Sequence, residues 1–140
     1  MSAQTILDTG PLVAFLNPAD NHHEWAAAQL RRLKPPLLTC EIVLGEACFV
    51  LKARGRDPSA VLDMVARGAV KVEFSLTSDV EAVRRLLRRY AEMGASLADV
   101  CLVRMSEIYS NCQVLTLDRD FLIYRRDGRR VIPLIAPFEA

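Results

Sequence analysis

The chain has 140 residues, which suits one domain with a sizeable core, so residues 1–140 are expected to form a single domain. Hydrophobic residues make up 51% and charged residues 25%, ordinary for a soluble globular protein, and a net charge of +1 advertises no nucleic acid. No run approaches the roughly 18 apolar residues that cross a bilayer, and the N-terminus lacks the basic region of a signal peptide, so a cytoplasmic location is expected. In chain order, residues 4–9 predict a short buried strand, followed by Gly10-Pro11 and an apolar helical turn to Asn17. A polar loop leads to a helix over 24–33, and Pro35-Pro36 ends it before a strand over 37–40. A helix over 41–54 stops at Gly55, and Asp57-Pro58-Ser59 opens another that runs to Gly68. Alternation over 70–76 predicts a strand, Ser78 or Asp79 caps an amphipathic helix to Met93, and Ser96 caps a helix to Asn111. Strands over 113–117 and 131–136 complete the pattern, with Pro133 pointing to a sheet edge. Strands alternating with helices imply an α/β domain with a mainly parallel sheet and helices on both faces.

Four acids stand where acids look out of place. Asp8 closes the first apolar run, Glu46 is the only charge between Ile42 and Leu51, Asp99 lies near the start of an otherwise apolar helix, and Asp118 ends a strand-like run. Gathered by a fold, such carboxylates repel one another unless a cation holds them, and an all-oxygen donor set suits Mg²⁺ or Mn²⁺. Ligands of open parallel sheets bind at the carboxyl ends of strands, where Asp8 and Asp118 fall. Each acid also has a structural reading. Asp8 suits a turn, and Asp99 completes a capping box with Ser96. Glu46 is harder to assign to structure, because its helix is apolar nearly all round and an unpaired carboxylate there is costly. Such a helix needs the core or a second subunit to cover it, and a homodimer is expected. Asp120 competes with Asp118 for the fourth position, and Asp118 is favoured because it directly ends the strand.

Two readings fail on these residues. Asp-Arg-Asp after a strand resembles haloacid-dehalogenase-type phosphatases, but those need a long domain after the motif and only twenty residues follow Asp120. A receiver-like phosphoacceptor domain opens with paired acids and uses a late Lys, whereas Asp8 stands alone and no Lys follows Lys71. The cysteines Cys40, Cys48, Cys101 and Cys112 make no CxxC pair and read as small buried hydrophobes. Arginine far outnumbers lysine and often comes in pairs. Arg84, Arg85, Arg88 and Arg89 point outward from one helix, as a solvated face, a grip for phosphate or a dock for an acidic segment, and residues 125–130 are the favoured phosphate contact because they closely follow the Asp118 loop.

Taken together, Ile-Leu-Asp-Thr at 6–9, Leu-Gly-Glu-Ala-Cys at 44–48, Ser-Leu-Ala-Asp-Val at 96–100 and Leu-Thr-Leu-Asp-Arg-Asp-Phe at 115–121 resemble a PIN domain. The resemblance implies a ribonuclease dependent on Mg²⁺ or Mn²⁺, with one or two ions per site, on a parallel sheet of about five short strands. By position, Asp8, Glu46, Asp99 and Asp118 match its acidic ligands and catalytic residues, and Thr116 and Ser96 its small polar residues. The compact length and the Asp20-x-His-x-x-Trp-Ala segment are similar to VapC-type toxins of toxin–antitoxin pairs. That likeness implies an RNA substrate, a cognate antitoxin and a homodimer. The rival expectation is a catalytically silent PIN-fold module that binds RNA or protein.

Overall fold

The computed structural model describes residues 3–139. Strand β1 (Gln4–Leu7) is followed by helices α1 (Thr9–Leu16) and α2 (His23–Arg32), then strand β2 (Leu37–Thr39). Helices α3 (Glu41–Ala53) and α4 (Ser59–Ala66) lead to β3 (Val70–Val72). Helices α5 (Val80–Arg89) and α6 (Leu97–Ile108) lead to β4 (Cys112–Leu115). A hairpin of β5 (Arg125–Arg126) and β6 (Arg130–Val131) precedes the last strand, β7 (Leu134–Ile135). The main sheet has the order β3-β2-β1-β4-β7 and is parallel throughout, with Ile6 level with both Leu38 and Val114. Among the described residues no helix is long and apolar enough to cross a membrane.

The order explains where a site can form. From β1 the chain steps to β2 and then β3, and afterwards returns past β1 to β4. Right-handed crossovers therefore place α1 to α4 on one face and α5 with α6 on the other. The two directions part between β1 and β4, and a crevice opens at the carboxyl ends of those strands. Ile6, Leu7, Val114 and Leu115 are fully buried, as apolar strands covered on both faces must be. Helix α6 packs behind β1 and β4 and buries Ala98, Val100, Cys101, Leu102, Val103 and Met105. Cys40, Cys101 and Cys112 are buried and Cys48 half-buried, so the cysteines pack as small hydrophobes.

Several expected boundaries move, for reasons in the pairing. The strand expected over 70–76 ends at Val72, because its neighbour β2 ends at Thr39, the partner of Val72. The strand expected over 131–136 is split: Val131 pairs with Arg125 in the hairpin, while Leu134 and Ile135 pair with Val114 and Leu115 at the sheet edge. The helix expected to reach Met93 stops at Arg89, followed by a 3₁₀ turn over Ala91–Met93 that ends on Gly94 at φ 73°. Val83, Leu86 and Tyr90 are buried along that stretch, whereas the apolar Val80 and Leu87 are exposed.

Candidate functional site

Asp8 follows β1 and caps α1: its Oδ1 accepts the Thr9 amide at 2.8 Å. Pro11 falls in the first turn, where its missing N–H leaves no helical bond unmade. Gly10 lets this turn approach the loop after β4, since a Cβ there would meet the Leu117 side chain at 3.3 Å. The second oxygen of Asp8 accepts the Thr116 hydroxyl at 2.7 Å, and that hydroxyl in turn accepts the Asp118 amide at 2.9 Å. Thr116 is fully buried and forms the floor joining the ends of β1 and β4.

The other acids arrive from helices. Glu46, on the second turn of α3, accepts the Thr9 hydroxyl at 3.1 Å. Ser96 caps α6 through a capping box with Asp99, whose Oδ2 accepts the Ser96 amide at 3.2 Å. The same oxygen accepts the phenol of Tyr124 at 3.0 Å. Asp99 thus has both the structural role read from its spacing and a place at the site. Asp118 caps the 3₁₀ turn over Arg119–Leu122, accepting the Asp120 amide at 2.9 Å. Asp8, Glu46, Asp99 and Asp118 together line one open cleft of about 580 Å³, with Thr9, Gly10, Leu117 and Arg119. Asp120 is outside that lining.

The electrostatics of the cleft are those of carboxylates lacking a counter-charge. Burial pushes the Asp8 carboxyl up to about 7, with the charges of Asp99 and Asp118 adding to the rise and the bonds from Thr116 and Thr9 opposing it. Asp120 is raised in the same way, by burial first and then by Asp118 and Asp99. Among the described residues, none of the four acids forms an ion pair with Lys, Arg or His. Nor do three of them, with or without His or Cys, stand together as a ready-made metal cage. Each is instead turned toward a hydrogen-bond donor. The donor set still fits a hard divalent cation: oxygen ligands only, mutually repelling, with one acid penalised for ionising.

Three groups near the cleft escaped sequence reasoning. Thr9 bridges Asp8 and Glu46, although it sits beside Asp8 in the Asp-Thr pair. Tyr124 holds Asp99 from the far side of the Asp118 loop, and no spacing rule connects the two. Arg119 is the basic side chain at the rim, its guanidinium lying over Phe138 at 4.7 Å. Glu46 is half-exposed to the cleft, and α3 leaves Phe49 76% exposed in a single copy of the chain. One expectation is corrected: Arg126 is not free for RNA, being buried against the carbonyls of Ser106, Tyr109 and Ser110, while half-buried Arg125 turns one guanidinium nitrogen to those of Leu122, Ile123 and Tyr124. His23 bonds the Ala14 carbonyl at 2.8 Å and His22 is exposed.

A parallel sheet with an acidic cleft at its switch point, assembled from a strand end, two helices and a loop, defines a class of α/β domains. The PIN domain family matches residues 5–127, and the chain belongs to that family. It is similar to ribonuclease VapC26 of Mycobacterium tuberculosis, with 27% identity over 116 residues, covering 81% of this chain and 86% of the relative. Its fold is similar to the crystal structure of VapC20 of Mycobacterium tuberculosis, a sarcin–ricin loop cleaving toxin. That match has a TM-score of 0.79 at 22% identity and covers 91% of this chain and 99% of the other.

Proposed function

We propose that this chain is a metal-dependent endoribonuclease that hydrolyses RNA phosphodiester bonds at the cleft of Asp8, Glu46, Asp99 and Asp118. We infer further that it acts as the toxin of a VapBC-like toxin–antitoxin pair. The observation that carries the reading is the convergence of four carboxylates from separate elements with no basic partner. Membership in the PIN family and the ribonuclease named among its relatives support it. A Mg²⁺ or Mn²⁺ ion held by these acids would neutralise the phosphodiester and activate a water for in-line attack. Asp8, fixed through both oxygens, and Asp99, with one oxygen engaged and the other unengaged, are the main ligands. Glu46, half-exposed and bonded only to Thr9, is a ligand or the base that takes the proton of the attacking water. Asp118 serves as an outer ligand, and Arg119 at the rim meets the substrate phosphate.

The partners follow the same reading: RNA as substrate, an antitoxin that blocks the cleft, and a second copy of the chain. The apolar face of α3, with Phe49 outward, favours the homodimer. The deciding experiment is incubation of total cellular RNA with the protein and Mg²⁺ or Mn²⁺, beside Asp8→Asn and an EDTA control. Discrete cuts that vanish in both controls are the expected result. Intact RNA after treatment with folded, metal-loaded, antitoxin-free protein would turn the assignment to a module that binds RNA or protein without turnover.

A further inference from the structure

The outward face of α5 carries Arg84, Arg88, Arg85 and Arg89 opposite the buried Val83, Leu86 and Tyr90. Residues three and four apart on such a face stand about 5–6 Å apart, a spacing comparable to successive phosphates along a strand. One acid, Glu81, shares this helix, and it is taken by Arg84 at 2.6 Å. Arg85, Arg88 and Arg89 have no acidic partner among the described residues. Their helix is also tied to the hairpin tip. Arg89 donates to the Gly128 carbonyl at 2.9 Å, and the Tyr90 hydroxyl accepts the Arg125 amide at 3.0 Å. This brings exposed Arg129 beside the helix end, while Arg130 next to it is neutralised by Asp127 at 2.6 Å.

The surface is close to the cleft. The Tyr90 ring packs edge-on against Tyr124 with centroids 4.9 Å apart, and the Tyr124 hydroxyl bonds Asp99. Two aromatic rings therefore separate the end of α5 from an acid of the site. We propose that Arg85, Arg88, Arg89 and Arg129 form a second RNA-holding surface, which grips the backbone of a folded RNA while one strand enters the cleft. The proposal rests on the ribonuclease reading of the cleft. Forked guanidinium groups in a row, three of them without an acidic partner among the described residues, suit the phosphates of a nucleic-acid backbone. No base is read there, so the surface adds affinity and reach without sequence preference.

The test compares wild type with an Arg85→Ala/Arg88→Ala double variant, both exposed positions, after matched thermal melts. Binding of a stem-loop RNA is measured across salt concentrations in an Asp8→Asn background, and cleavage of a short single-stranded oligoribonucleotide in the active background. The variant is expected to bind the stem-loop about tenfold more weakly, with a salt slope smaller by about 2, one increment for each lost phosphate contact. Cleavage of the short oligonucleotide is expected to stay unchanged. Equal affinity and equal slope in variant and wild type would overturn the proposal. So would weaker binding of polyglutamate with RNA binding unchanged, which would give the surface to an acidic protein. Because binding is read apart from cleavage, a wild type that cuts neither RNA refutes the nuclease reading and still scores the surface.

Discussion

Asp8 is held in place by bonds that prefer its charged form and sits in a burial that opposes it. With its folded value near 7 and an ordinary value of 3.8, the folded protein binds a proton that the unfolded chain releases between those pH values. Stability from this group is therefore fully present below about pH 4 and is lost as pH rises through about 7, by up to about 4 kcal/mol. In EDTA, the unfolding midpoint in urea should fall over that range. Asp8→Asn should flatten the fall, and an equally steep fall in that variant would refute burial of Asp8 as its cause. Tyr124 is the second telling residue. Burial first, and then Asp99, push its phenol upward, so it remains a donor to Asp99 at any working pH. Tyr124→Phe keeps the ring packing on Tyr90 and Phe121 and removes that one bond. Loss of such an outer partner should weaken Mn²⁺ binding about tenfold, read by calorimetry, with the fold retained.

Helix α6 shows how an element is fixed at both ends, one of them at the site. Its start is the Ser96–Asp99 capping box, and at its far end buried Arg126 donates to the carbonyls of Ser106, Tyr109 and Ser110. Arg126→Met should destabilise the protein by about 2 kcal/mol in urea unfolding, since three carbonyls lose a charged donor. An unchanged midpoint would show that water replaces it freely. The helix and strand pattern was legible in the residues because apolar periodicity and caps are local properties. So was the gathering of the acids, because Asp8 follows β1 directly and Asp118 lies in the loop after the adjacent β4, although that strand ends at Leu115 and not at Leu117 as the residues suggest. The hairpin was not. Its signal is Asp127-Gly128, both at positive φ (53° and 76°), but arginines flank it where apolar alternation normally marks strands. Tyr124 and Thr9 were missed for a different reason: their roles depend on which oxygen of a carboxylate is engaged, and sequence spacing carries no such information.

For the whole molecule, the exposed apolar side chains speak to assembly. Phe49 on α3 and Leu62 on α4 are 76% and 58% exposed, on helices that pack against each other. Sedimentation at micromolar concentration should give a dimer, and Phe49→Asp should give a monomer; a wild-type monomer would count against the homodimer. The strand order has a consequence for timing. Because β4 is inserted beside β1 after three earlier strands, Thr116 beneath the cleft and Leu117, Asp118 and Arg119 in its wall are the last pieces to leave the ribosome. At about 5–20 residues per second, an emerging chain spends seconds with three acids and nothing beneath Asp8. On the proposed reading such a chain cannot cut RNA until β4 and the loop after it are in place.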